Sequence, residues 1–372
     1  MKANPLFMAS KFSLKKDQKL TQEYKAVDLF CGAGGMSLGI QMAGFKIKLG
    51  LDFVKDCEET HNLNFKNTPF ICGDITDING SEILDRIGLK KGELTLVSGG
   101  PPCQGFSTVN GKSRFLENPK NKLFKEFVRI IDELSPIWFI MENVTGLLSM
   151  DSGRVKEAIF KAFKEIGYSI DARVLNAVDY GVPQNRKRAI FIGNKSGFKN
   201  EFPEPTHGNS DLQLDFFDNQ KLKPFVTVGE AFKGITQKAK LNNHILPTHA
   251  EIVLKRMSFV PEGGNQKDIP AEYKPPQKFL NTYGRLHRKN PSNTVHTRFD
   301  VASTGSLYHP TENRALTVRE GARLQSFPDT YIFSGKKGSQ YRQVGNAVPP
   351  LLAKALGEKI LCIMKETKKG KR

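Results

Sequence analysis

The sequence lacks any run of about 18 apolar residues, so nothing in it reads as a membrane-spanning helix. Its first stretch, Met1 to Tyr24, is polar and lysine-bearing and has no apolar core of the signal-peptide kind. An intracellular protein is expected. Cysteine is scarce: Cys31, Cys57, Cys72, Cys103 and Cys362 are the five, and no Cys-x-x-Cys pair occurs. An odd number at wide spacing argues against a disulfide framework or a zinc site, so the thiols are expected to be reduced, and one of them can serve as a nucleophile. Acidic residues are also in deficit. Against 56 Lys and Arg stand 38 Asp and Glu, a formal net charge of +18. That excess favours a polyanionic partner such as nucleic acid. Simple solubility or a basic-biased genome are the alternatives. A membrane surface would call for a basic amphipathic helix or a lipidation signal, and neither is seen.

What is present is a globular composition, 38% hydrophobic and 25% charged over 372 residues. It suffices for a real core and for one large or two modest domains. Short apolar runs at 25–30, 47–51, 70–72, 94–98, 137–141, 169–175 and 188–192 read as strands, with helical patterns between them. The alternation predicts an α/β fold with a mostly parallel sheet and helices on both faces. Ligands in such sheets sit at the carboxyl ends of the strands. Cys31 to Gly35, Asp52, Asp74, Pro101 to Cys103 and Glu142-Asn143 all fall there. After Gly193 the chain turns rich in Asn, Pro, Lys and His, and its periodicity weakens. The expected division is an extension over 1–24, a catalytic domain over 25–193, an irregular domain over 194–312, and a segment over 313–372 that returns to the catalytic domain. In that last segment Thr317, with Glu320 three residues on, caps a helix, and a final helix starts near Pro350.

Two stretches carry chemistry. Asp28-Leu29-Phe30-Cys31-Gly32-Ala33-Gly34-Gly35 is a strand entering a glycine-rich turn, where main chain can approach a ligand closely. A G-x-G-x-x-G fingerprint counted from Gly32 meets Ser37, so the dinucleotide pattern fails. With Asp52 ending the next strand, the pattern points to an adenosine-bearing cofactor or to a plain tight turn. Gly99 to Ser107 (GGPPCQGFS) places Cys103 after two stiffening prolines. A thiol held rigidly there suits a nucleophile, although buried inert cysteines are commoner. Glu142 ends the neighbouring strand. Gln184, Arg186 and Arg188 alternate, which predicts one face of one strand.

Taken in order, DLFCGAGG, Asp52, GDIT, GGPPCQGFS, ENV, QNRKR, RALTVREGARLQSFPD and QVGNAVPP resemble the DNA (cytosine-5) methyltransferase family from Ala26 to about Ile360, in the manner of bacterial restriction-modification enzymes. The resemblance implies a Rossmann-like S-adenosylmethionine-dependent methyltransferase sheet with a smaller, irregular target recognition domain. It assigns catalysis to Cys103, Glu142, Arg186 and Arg188. It assigns S-adenosyl-L-methionine to Phe30, Gly32, Gly34, Asp52, Phe53, Asp74, Ile75, Pro102, Asn346 and Val348. DNA contacts are expected from Gln104, Ser107, Arg285, Arg288, Thr297 and Arg298. It further implies a monomer acting in the cytoplasm on double-stranded DNA, with no metal, no membrane, and a cognate restriction endonuclease acting separately. The target base must be flipped out of the duplex, and Gln104 to Lys122 reads as the lid over it. Three other readings compete. The family's tRNA-methylating branch fits the large second domain less well. A catalytically silent DNA-binding homologue is opposed by the intact Cys103, Glu142 and Arg188. A nicotinamide-dependent oxidoreductase is opposed by Ser37.

Overall fold

The computed structural model describes residues 23–102, 122–209, 222–275, 282–301, 303, 305 and 307–369. Cys103, Gln104, Ser107 and most of the expected lid lie outside the described residues, as does most of the 1–24 extension. The described chain separates into two compact units. The first comprises 23–176, 187–204 and 352–369; the second comprises 177–186 and 205–351.

The first unit is built on β1 (Lys25–Leu29), α1 (Gly35–Ala43), β2 (Lys46–Asp52), α2 (Lys55–Asn64), β3 (Phe70–Cys72), α3 (Gly80–Ile87), β4 (Leu96–Gly99), α4 (Lys122–Leu134), β5 (Trp138–Asn143), α5 (Gly146–Ser149), α6 (Arg154–Glu165), β6 (Ser169–Asn176) and β7 (Lys187–Asn194). The seven strands form one sheet in the order β3-β2-β1-β4-β5-β7-β6. The first five are parallel, whereas β7 runs antiparallel to both β5 and β6. The mostly parallel sheet expected from the sequence is therefore modified on one side. The chain turns back after β6, and β7 inserts between β6 and β5. Central strands read as near-continuous apolar runs because helices cover both faces. Trp138, Phe139, Ile140 and Met141 of β5 are all fully buried. On α4, Phe127, Ile130, Ile131 and Leu134 recur at helical spacing and join the same core.

The second unit holds β8 (His207–Gly208) paired with β9 (Lys223–Pro224), and the helices α7 (Val228–Ala231), α8 (Glu251–Phe259), α9 (Val318–Leu324) and α10 (Lys337–Asn346). α9 opens with the expected capping box of Thr317 and Glu320. The final helix, α11 (Pro350–Lys369), begins in this unit and continues into the first. There Lys359 pairs with Glu201 at 2.6 Å. A Cβ on Gly357 would come within 2.7 Å of the Ala43 side chain, so α11 lies directly on α1.

The units divide differently from the 25–193, 194–312 and 313–372 segments. Residues 177–186 and 313–351 sort with the second unit, and 194–204 with the first. Asn194 accounts for the last of these: its side chain accepts from the main-chain N–H groups of Ser196 and Phe198 and donates to Asn200, which ties that loop to the end of β7. Among the described residues no helix is long and apolar enough to cross a membrane.

Candidate active site

At the carboxyl end of β1 the main chain enters the left-handed region three times within five residues: φ is 54° at Phe30, 52° at Gly32 and 76° at Gly34. The conformation is easy for glycine but costs about 1–3 kcal/mol at Phe30. Such strain clusters at ligand sites. No heavy atom lies within 4 Å of where a Gly32 Cβ would be, so open space faces this main chain. Asp52, at the end of β2, grips the turn: one carboxylate oxygen accepts from Gly32 N–H at 2.8 Å, the other from Val54 N–H at 3.0 Å. Burial raises the Asp52 pKa, and these main-chain donors oppose the rise. Behind the turn, buried Asp28 accepts from the hydroxyls of Ser37 on α1 and Ser98 on β4, at 2.5 and 2.7 Å. Burial pushes its carboxyl up to about 6, against the pull of those hydroxyls.

Phe53 follows Asp52 with 66% of its surface exposed, an aromatic plate open to a ligand. Asp74, after β3, accepts from Thr76 N–H at 2.9 Å, and that bond holds its carboxyl below the usual range. Ile75 comes next in the chain. Its side chain is 2% exposed in the core, and its carbonyl accepts from Arg129 at 2.9 Å.

The second cluster gathers at the ends of β4, β5 and β7. Glu142 and Arg188 stand two register positions apart on antiparallel strands, since Glu142 pairs with Ile190, and therefore share a face. Arg188 Nε lies 2.8 Å from Glu142 Oε1, with both side chains mostly covered. A Cβ on Gly100 would sit 3.3 Å from Glu142 Oε2, so this carboxylate overlies the main chain three residues before Cys103. Next to it, buried Asn143 donates to the Pro101 carbonyl at 3.0 Å and accepts from Val144 N–H at 2.9 Å. Pro102 follows, half-buried. Asn143 and Asp28 were named in the sequence motifs without a role. A polar residue at the end of a buried apolar strand, as for Asn143, or one short of it, as for Asp28, is the signal that could have found both.

The other expected site residues fall in the second unit and divide by burial. Arg186 is not on a strand with Arg188: β7 starts at Lys187, and Arg186 belongs with the second unit. It is 2% exposed and donates to the carbonyls of Val295 and Gly345, both at 3.0 Å, so its expected catalytic role is replaced by a structural one. Arg285 is likewise spent inside the fold rather than on DNA. It donates to the carbonyls of Val260, His309, Glu312 and Met257 and to the Asn313 side chain, at 2.6–2.8 Å. Arg288 is exposed but forked onto Glu262 at 3.0–3.1 Å, which holds that carboxyl below its usual range. Arg298 is exposed, 3.8 Å from Asp300, and Thr297 beside it is half-buried. Asn346, ending α10, is exposed, whereas Val348 is 9% exposed.

The strained, acid-gripped turn at the carboxyl edge of this sheet is where an α/β fold takes its cofactor. The chain belongs to the C-5 cytosine-specific DNA methylase family, whose model matches residues 24–362. It is a DNA (cytosine-5) methyltransferase, and membership carries the use of S-adenosylmethionine. It is 40% identical over 360 residues to the Type II methyltransferase M1.HphI of Haemophilus parahaemolyticus, covering 96% of this chain and 91% of that one. To the Type II methyltransferase M.DdeI of Desulfomicrobium norvegicum it is 34% identical over 373 residues, covering 90% and 88%. A solved structure of an E. coli prophage protein described as a DNA modification methyltransferase superposes with a TM-score of 0.72 at 24% identity, over 92% of this chain and all of that one. That likeness speaks to the fold.

Proposed function

We propose that the enzyme methylates carbon 5 of a cytosine flipped out of a specific duplex sequence, acting as the modification half of a restriction-modification system, as a monomer in the cytoplasm beside a separate endonuclease. The observation that carries this reading is the Glu142–Arg188 pair, 2.8 Å apart, over the segment that leads to Cys103.

Cytosine carbon 5 is a poor nucleophile. Attack of the Cys103 thiolate on carbon 6 converts the ring to an enamine. Glu142 supplies a proton or strong hydrogen bond to ring N3, and Arg188 holds the O2 carbonyl as charge develops. Asn143 holds the Pro101 carbonyl, two residues before Cys103. When bound, S-adenosylmethionine supplies the electrophilic methyl group. Loss of the carbon-5 proton then expels Cys103. The fit to the cofactor rests on Asp52 and the turn. A carboxylate has about four acceptor sites, so Asp52 can take ribose hydroxyls while holding the main chain. Phe30, Gly32, Gly34, Phe53, Asp74, Ile75 and Pro102 are proposed to line the remainder, and Asn346 and Val348 are proposed as cofactor contacts.

Bisulfite sequencing of DNA from cells expressing the chain should reveal one protected sequence context; no protected cytosine would defeat the proposal. Duplex carrying 5-fluorocytosine at that site, with S-adenosylmethionine, should trap a denaturant-resistant complex that Cys103→Ser cannot form. An adduct mapped to another cysteine would overturn the nucleophile assignment.

A further inference from the structure

Glu126, Arg129 and Glu133 fall three and four residues apart on α4, hence on one helix face, outside the apolar stripe of Phe127, Ile130, Ile131 and Leu134. In the sequence such a trio reads as a solvated ion-pair ladder, which contributes little. Part of the geometry fits that reading. Arg129 Nε donates to Glu126 Oε2 at 2.7 Å, and Nη1 donates to Glu133 Oε1 at 2.8 Å. Nη2 leaves the ladder and donates to two main-chain carbonyls, those of Ile75 and Ile78, both at 2.9 Å. They belong to the connection between β3 and α3, whose only regular structure is one turn of 3-10 helix, Ile75–Asp77. Main chain of that kind needs donors from elsewhere. Glu133 holds the far end of the same connection. Its Oε2 accepts from Gly80 N–H at 2.6 Å, the first of α3 and so without an intrahelical acceptor. A Cβ on Gly80 would fall 2.5 Å from the Glu133 Cβ, so the approach of α3 to α4 requires glycine there. On its other side the connection is fixed by the buried Ile75 side chain and by Asp74, which accepts from Thr76 N–H.

We infer that Arg129, oriented by Glu126 and Glu133, is a positioning residue for cofactor recognition, clamping the 75–80 connection so that the Asp74 carboxylate is held against the adenine amino group. This rests on the assignment above of Asp52 and Asp74 to S-adenosylmethionine. With Asp52 on the ribose hydroxyls, the remaining N–H or O–H donor of the adenosyl group is the exocyclic amino group of adenine. Asp74 keeps acceptor capacity for it beyond the Thr76 N–H. A hydrogen bond weakens steeply with distance and angle, so a carboxylate on a slack connection would lose its selectivity for that donor. The whole clamp lies within the first unit.

The test compares two unreactive ligands by calorimetry: S-adenosylhomocysteine, and S-inosylhomocysteine, in which oxygen replaces the amino group. The wild type should prefer the first by at least about tenfold, the value of a hydrogen bond to a charged acceptor. Arg129→Met should bring that preference below about threefold. It should also raise the KM for S-adenosylmethionine while kcat stays within about twofold, because the lost contact serves binding alone. Arg129→Lys keeps the charge without the planar fork and should fall between. The control is Tyr168→Phe. Tyr168 is also buried in the first unit and donates to the Pro136 carbonyl at 2.6 Å, before the amino end of β5 and away from the cofactor turn. That variant should lower Tm and leave the preference intact. A wild-type preference in Arg129→Met, or an equal collapse in Tyr168→Phe, would overturn the inference. Should Arg129→Met fail to fold, Arg129→Lys decides, and an unchanged preference there overturns it. A wild type that binds S-adenosylhomocysteine without preferring it also overturns the inference but leaves the methyltransferase reading standing. One that binds no S-adenosylhomocysteine defeats the functional reading itself.

Discussion

Asp28 and His61, both buried beneath the cofactor turn, pull stability in opposite directions with pH. Burial pushes Asp28 up to about 6 and pushes His61 down to about 4, the latter against its hydrogen bond to the Thr68 carbonyl. Between about pH 4 and 6 the folded protein holds a proton on Asp28 that the unfolded chain has released, so this residue's contribution falls as pH rises. Across nearly the same window the unfolded chain protonates His61 and the folded one does not, so its contribution rises with pH. The two slopes, each at most about 1.4 kcal/mol per pH unit, largely cancel. Asp28→Asn should therefore make urea-measured stability climb more steeply from pH 4 to 6 than in the wild type. His61→Leu should flatten or invert the same curve. Parallel curves for wild type and both variants would show that neither group titrates as its burial dictates.

At the scale of elements, what was legible followed from local pattern. The apolar runs of β1, β4 and β5, the glycine turn after β1 and the Thr317 capping box need no knowledge of distant chain. The insertion of β7 was not legible, because strand order depends on partners that periodicity does not encode. Nor was the parting of Arg186 from Arg188: their alternation reads as one strand face, yet the chain changes units between Arg186 and Lys187. Asn143 illustrates how an element end conveys geometry to the chemistry. It pins the Pro101 carbonyl to the end of β5, where Glu142 stands. Asn143→Asp keeps an acceptor for Val144 N–H but removes the donor and sets a carboxylate against the carbonyl. A displacement of about 1 Å in a reacting group can cost about 100-fold in rate. The expectation is a kcat reduced by about 10- to 100-fold, with S-adenosylhomocysteine affinity reduced far less because Asp52 and the turn are untouched. An unaltered kcat would remove Asn143 from the positioning machinery.

For the whole molecule, the net charge of +18 overstates the cations available to a polyanion. Arg186, Arg285, Arg314, Arg319 and Arg323 are all under 9% exposed and bound to carbonyls or carboxylates of the second unit. Composition counts them with surface charge, although their guanidinium groups serve as internal cross-links. Duplex affinity should fall with salt at a log–log slope of about −0.9 for each phosphate neutralised. Only exposed cations such as Arg298 can contribute to that slope. Arg298→Gln should therefore make it shallower by about 0.9 while leaving Tm near the wild-type value. Arg285→Met should do the reverse. It strands three buried carbonyls, those of Met257, Val260 and His309, and should cost more than about 3 kcal/mol of stability, yet the fraction that remains folded should show the wild-type salt slope. The two quantities are separable by filter binding from 50 to about 200 mM salt, at a temperature where both variants are folded. If Arg285→Met changed the slope by the amount expected of a phosphate contact, its guanidinium would have to leave the interior on binding DNA, and the internal reading of these arginines would fail.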